Sequence, residues 1–349
     1  MPLLESISTQ EKVDFIKNLS LLIKSGKPVN ESFDLLAKQA RSPAMKKVLK
    51  TAKDKTEKGT QLYKIFEDSP HFGKVFVSFI RAGEESGTLD QNLEYLANWL
   101  DRNNQLNKEM KSATLYPKII VSFALILGGI LSVFVLPQLV PIFGTLDVEL
   151  PWATRLLLWV SETMQESGLY VIGGILGFIL FFWLLMKLRS IKKLWHGILL
   201  RLPIAGNISK EYQLTIIAQL ITTLFQSGLT INDSLDIIAN SVTNLRFKEA
   251  LEDIRKRVSK GTGFAETMEK YPKLFPSVFI SVVATGEQTG SYGDSFQYLA
   301  DFFAQRVTER TKKLPTVIEP VLLITIGVFV AFIAGAIILP IYEVTEGLY

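Results

Sequence analysis

Ala82-Gly83-Glu84-Glu85-Ser86-Gly87 is the stretch that decides the fold, because Thr285-Gly286-Glu287-Gln288-Thr289-Gly290 repeats it 203 residues later. At that offset Leu93, Tyr95, Leu96 and Ala97 fall on Phe296, Tyr298, Leu299 and Ala300, and Pro117 and Pro137 fall on Pro320 and Pro340. Upstream the register slips by one residue, so that Ser25-Gly26, Ser32 and Ala37 match Ser227-Gly228, Ser234 and Ala239. Two long copies mark a duplicated domain rather than a solenoid of short repeats.

Three stretches carry no charged side chain: Ile119 to Thr145, Ser167 to Met186 and Pro320 to Tyr342. Each matches the roughly 20 apolar residues that a helix needs to cross a bilayer. Residues 119–145, 167–186 and 319–342 are therefore expected to be three transmembrane helices. Met1 to Lys24 is polar and charged, unlike a cleavable signal. Lys108, Lys111 and Lys118 precede the first span, and Lys187, Arg189, Lys192, Lys193 and Arg201 follow the second. The loop between those spans holds Asp147, Glu149, Glu162 and Glu166 against Arg155 alone, and the tail holds Glu343 and Glu346. The positive-inside rule then puts the N-terminus in the cytoplasm and the C-terminus outside.

The polar regions read as all-α. Phe15, Leu19, Leu22 and Ile23 share a helical face. Gly26 suits a helix end, Asn30 or Ser32 a cap, and Ser42-Pro43 a cap with a first-turn proline. Further helices are expected to end near Gly59, to cover Leu62 to Phe66, and to cover Val75 to Glu85 before Gly87. A sixth begins at Leu89 and meets no breaker before Pro117. The second copy has the same punctuation at Gly228, Asn232, Gly261, Pro272, Pro276 and Gly290. The fold class is thus all-α, two duplicated six-helix cytoplasmic bundles plus three transmembrane helices. The expected order is a first bundle over 1–118, a span over 119–145 and an external loop over 146–166. A returning span over 167–186 and a basic linker over 187–210 follow. The second bundle covers 211–318, the third span 319–342 and an external tail 343–349. Trp152 and Trp159 suggest an interfacial helix in the loop, with a loop helix packed on the spans as the equal alternative. The unrepeated returning span lets two like-oriented copies share one side of the membrane.

Chemistry is excluded more readily than found. The chain has no cysteine, no phosphate loop and no dinucleotide fingerprint. His71 and His196 lie outside any zinc-protease motif. No acid or base stands inside a span, where a transporter or intramembrane protease would keep one. The reading is of no enzyme, with no catalytic, cofactor or metal residue. A net charge of +4 does not call for nucleic acid. Gly83, Glu84, Gly87, Gly286, Glu287 and Gly290 form twin helix-turn motifs. Each glutamate sits near a helix C-terminus, where the dipole disfavours an anion by about 0.3–1 kcal/mol. Each is therefore expected to have a fixed partner, locking helix five against helix six or touching another protein. Pro117 and Pro320 mark where the chain enters the membrane. Ala124, Gly128 and Ser132, repeated as Gly327, Ala331 and Gly335, form small-residue grooves suited to packing spans one and three.

The duplicated bundle with its Gly-Glu-x-x-Gly turn, Tyr116-Pro117 before span one and Glu319-Pro320 before span three together resemble the type II secretion system F family. Leu150-Pro151 and Thr154 also look like that family's residues. The likeness covers about Glu11 to Leu348. It implies a multi-pass inner-membrane platform for type IV pili, type II secretion or competence pseudopili. The implied partners are a hexameric assembly ATPase, pilins or pseudopilins, other inner-membrane assembly proteins and a second copy of the chain, most simply as a dimer. Many members carry an additional N-terminal segment, so the likeness is to the shorter forms. The alternative from another class is an oligomeric membrane channel or transporter, which the few polar residues in the spans disfavour.

Overall fold

A computed structural model describes residues 6–130, 152–202 and 204–346, and every regular element among them is helical. The first copy comprises α1 (Thr9–Lys24), α2 (Val29–Gln39), α3 (Pro43–Glu57), α4 (Leu62–Glu67), α5 (Lys74–Ser86) and α6 (Leu89–Ile130). Then come α7 (Trp152–Leu185) and α8 (Arg189–Leu199). The second copy comprises α9 (Ala205–Gln226), α10 (Ile231–Ser241), α11 (Leu245–Val258), α12 (Phe264–Glu269), α13 (Ser277–Thr289) and α14 (Tyr292–Glu346).

Local chemistry explains the boundaries. Ser42 Oγ accepts from the Met45 amide to start α3, and Asn244 Oδ1 accepts from the Arg246 amide to start α11. Gly26, Gly59 and Gly87 take φ of +79°, +80° and +72°, and their copies Gly228, Gly261 and Gly290 take +78°, +86° and +72°. A β-carbon is strained in that region, so each glycine stops its helix without cost to the turn. One expectation fails: neither Asn30 nor Ser32 caps α2. The helix already begins at Val29 behind Pro28, and the Ser32 hydroxyl is buried, donating to the Pro28 carbonyl at 3.0 Å. The fixed φ of proline supplies the entry instead. In the second copy a side chain does cap, with Thr230 Oγ1 accepting from the Asp233 amide.

Residues 1–109 and 193–309 form one compact unit, so the two copies share a core. Beyond the shared pairs Phe72–Phe275 and Phe76–Phe279, the copies fill that core with phenylalanine at different places. The first uses Phe15, Phe33 and Phe66, where the second has Ile217, Leu235 and Met268. The second uses Phe247, Phe264 and Phe296, where the first has Met45, Leu62 and Leu93. α9 is buried on every face from Gln213 to Thr222. Its counterpart α1 keeps an exposed side, with Leu21 64% accessible. The difference arises because α9 also meets the first copy. Tyr212 Oη donates to Asn107 Oδ1 at 3.0 Å, and Gln219 stands beside Tyr95, Trp99 and Arg102. α8 forms within the stretch expected to be a linker. His196 Nδ1 accepts from the Leu245 amide at 3.0 Å, and Lys193 pairs with Glu249 at 2.7 Å.

The slip in register has a location. The pairs Leu62–Phe264 and Pro70–Pro272 keep the upstream spacing, whereas Phe72–Phe275 and Phe76–Phe279 keep the downstream one. The extra residue therefore lies in the loop between α12 and α13.

Residues 110–192 and 310–349 make the second unit. Leu89–Ile130 and Tyr292–Ala336 are each long and apolar enough to cross a membrane, and the apolar windows are unburied. Leu125, Ile126, Leu323 and Ile324 expose more than 60% of their surface. Helices this apolar and this bare require lipid or a partner. Pro117 lies inside α6, and Pro320 inside α14, without ending either helix. A proline removes one backbone hydrogen bond, which a long helix in an apolar phase tolerates. α7 is interrupted at Ser167 (φ −128°, ψ 19°), between Trp152–Glu166 and the apolar run beyond.

Candidate functional site

The repeated motif sits where α5 turns into α6, and again where α13 turns into α14. Gly87 adopts φ +72°, and the Thr88 amide donates to the Gly83 carbonyl at 2.9 Å, closing the turn. Gly83 is a close-approach residue. A β-carbon there would stand 2.8 Å from Leu89 Cα and 2.9 Å from Asn92 Cβ. At Gly286 it would stand 2.6 Å from Ser295 Oγ and 2.8 Å from Ser295 Cβ. Glycine thus draws helix five onto helix six in each copy.

Glu84 performs a different task. Its Oε1 accepts from the Leu62 amide at 2.8 Å and its Oε2 from the Tyr63 amide at 3.2 Å. Glu287 accepts likewise from Phe264 at 2.8 Å and Ala265 at 3.0 Å. α4 and α12 lack a side-chain cap of their own. The carboxylate therefore satisfies orphan amides at the positive end of another helix, where an anion belongs. That resolves the wrong-ended placement read from the sequence. It also moves the lock, because the glutamate ties helix five to helix four while the glycine ties it to helix six. In the second copy Tyr292 joins the group. Burial, the Glu287 charge and a hydrogen bond to Glu287 push its phenol up to about 12.

Two further duplicated pairs escaped the sequence reading. Glu11 Oε1 accepts from the amides of Arg41 and Ser42 at 3.0 and 2.9 Å. Gln213 Oε1 does the same for Thr243 and Asn244 at 3.2 and 3.5 Å. Asp34 pairs with Lys53 at 3.3 Å, and Asp236 pairs with Arg255 at 2.6 Å. Both repeats obey the upstream spacing of 202 residues, and tracing that register through the polar residues would have exposed them.

In the membrane-type unit Gly128 faces α14. A β-carbon there would stand 3.5 Å from Phe329, so an aromatic ring, rather than a small residue, fills the space opposite. Ala124 and Gly335 are half-buried, Gly327 and Ala331 are exposed, and Ser132 lies outside the described residues. Thr154 is buried and donates to the Ala336 carbonyl, and Trp152 lies 5.7 Å from the Phe332 ring. No cluster of potential metal ligands occurs among the described residues.

These features are polar fasteners, with the Glu11, Glu84 and Glu287 carboxylates spent on backbone amides and Asp34 and Asp236 on basic side chains. They hold helices, and nothing among them presents a nucleophile beside a base. The comparison with known proteins decides what the fasteners belong to. A family model described as "Type II secretion system (T2SS), protein F" matches twice, over residues 15–137 and 217–340. The chain belongs to this family. The two matches are the two copies, each running from a helical bundle into an apolar helix. The chain is 29% identical to a type IV pilus assembly protein PilC of Myxococcus xanthus, over 94% of this chain and 79% of that one. It is 28% identical to the PilC of Pseudomonas aeruginosa, over 94% of this chain and 88% of that one. It is also 28% identical to a type II secretion system protein F of Vibrio cholerae, over 97% and 84%. The F family thus joins pilus and secretion systems, with helical membrane spans and a duplicated domain.

Proposed function

We propose that this chain is an inner-membrane platform for assembling a type IV pilus or related filament. Its two bundles engage a hexameric assembly ATPase in the cytoplasm, and the motion of that ATPase is passed on to pilins or pseudopilins held in the membrane. The carrying observation is the double match to the F family together with two bare apolar helices, each continuous with one bundle. Relatives named for pilus assembly and for type II secretion support the same reading.

The proposed topology has three spans, residues 119–145, 167–186 and 319–342, with the N-terminus inside and the C-terminus outside. The supporting pattern is the basic set Lys187, Lys192, Lys193 and Arg201 against the acidic set Asp147, Glu149, Glu343 and Glu346. Periplasmic reporters fused after residues 148 and 349 are expected to be active, and one fused after residue 204 inactive. Activity of the residue-204 fusion would overturn the topology. The partnership is tested by site-specific crosslinking from Lys47 and from Lys260, one surface position in each copy, to the cognate ATPase in assembling cells. Crosslinks from both are expected, and failure from both would reject the shared engagement.

A further inference from the structure

The two copies meet in a contact that is not reciprocal. α5 of the first copy lies against α10 and α11 of the second. Ser78, Arg81, Ala82 and Glu85 face Leu229, Asp233, Asp236, Ile237 and Arg255 across a cleft of about 770 Å³. At its other end Val75 and Phe76 lie near Asn240 and Ser241. A local two-fold axis would make α13 cover α2 and α3 in the same way. Among the described residues it does not.

Both halves of the missing contact are present and open. Lys27, Asn30, Glu31, Asp34, Leu35, Lys53 and Glu57 line a separate cleft of about 290 Å³. Position for position they correspond to Leu229, Asn232, Asp233, Asp236, Ile237, Arg255 and Ser259 on the covered face. On the other side, Val75 and Val77 of α5 are each 7% accessible, while the equivalent Val278 of α13 is 45% accessible and Ile280 half-buried. Ser281, Thr285 and Gln288 take the places of Ser78, Ala82 and Glu85. This face carries no charge that would repel the mixed charges of the α2–α3 cleft.

We propose that a second copy of this chain docks its α13 face on the α2–α3 cleft, repeating between chains the contact that α5 makes with α10–α11 within one. A contact of this head-to-tail kind closes into a ring or continues as a strand of subunits, according to its rotation. Either outcome gives an assembly whose repeating step is one copy rather than one chain. The inference stands on the repeat geometry and is independent of the partners proposed above.

The absence of cysteine makes the test clean. Two differently tagged full-length chains, one Gln288→Cys and the other Glu31→Cys, are co-expressed and treated in membranes with a short bismaleimide. The control within one chain is Glu85→Cys with Asp233→Cys, whose residues face each other across the covered cleft. A Gln61→Cys chain replaces the Glu31→Cys chain as the off-surface control. A mixed-tag crosslinked species is expected with Glu31→Cys and its loss with Gln61→Cys. No mixed-tag species while the control within one chain links, or equal yields from Glu31→Cys and Gln61→Cys, would overturn the proposal.

Discussion

Glu84 Oε1 lies 2.8 Å from the Leu62 amide nitrogen, placing an α5 carboxylate on the first turn of α4. Hydrogen bonds to charged groups contribute about 1.5–3 kcal/mol each. Glu84→Ala and Glu287→Ala are each expected to destabilise by about that amount, and Glu84→Gln by less, since an amide oxygen can still accept one bond. Thermal unfolding of the detergent-purified chain checks the order. Equal stability for wild type and Glu84→Ala would contradict the clamp.

Gly83→Ala places a methyl group inside 3 Å of the α6 backbone, which cannot yield without moving the helix. Overpacking of this kind costs about 1–3 kcal/mol. Gly286→Ala meets the Ser295 side chain instead. It is expected to lose stability too, but to recover part of it when combined with Ser295→Gly. The same unfolding assay reads both, and Gly83→Ala has no such single partner to relieve it.

The raised phenol of Tyr292 makes stability depend on alkaline pH. A group that holds its proton longer in the folded state than its ordinary 10.0 favours folding below pH 10. That contribution falls as pH rises from 10 to about 12. Over that window wild type is expected to lose stability more steeply than Tyr292→Phe. Parallel curves for the two proteins would contradict the raised phenol.

Gly128 and Gly327 stand one turn apart in the duplicated small-residue stripe, where Gly128 matches Ala331 and Gly327 matches Ala124, and they differ in surroundings. Gly128→Leu would displace the Phe329 ring, whereas nothing lies within 4 Å of a β-carbon at Gly327. Gly128→Leu is expected to lower the unfolding temperature in detergent, at about 1–3 kcal/mol of overpacking, and Gly327→Leu to leave it unchanged. Equal effects would show that the α6–α14 contact is not the one described.

The sequence carried the helical order well because glycine at positive φ and Ser-Pro caps are local signals. Gly59, Gly87 and Ser42 announce their own boundaries. Even the need of Glu84 for a partner was legible, since a carboxylate at a helix C-terminus is out of place. Its partner was not, because Leu62 lends only a backbone amide, which leaves no trace in side-chain pattern. The polar side chains of Asn30 and Ser32 misled as caps, because the rigid φ of Pro28 begins α2 without help from either. The union of the copies was likewise hidden. The all-round burial of α9 depends on what the first copy places against it, a long-range fact that a period of 3.6 cannot encode.

The register slip lies in the stretch between helices four and five, and the glutamate clamp spans it. Glu84 reaches back 22 residues to Leu62, and Glu287 reaches back 23 to Phe264, with the same two-oxygen geometry. The clamp fixes the ends of this segment while leaving its length free, and closing a loop one residue longer adds little entropy. One half of this chain has therefore already absorbed an insertion that the other lacks. Inserting one residue after Pro70, the place where the second copy is longer, is accordingly expected to leave the Glu84 clamp and the unfolding temperature of the first bundle unchanged.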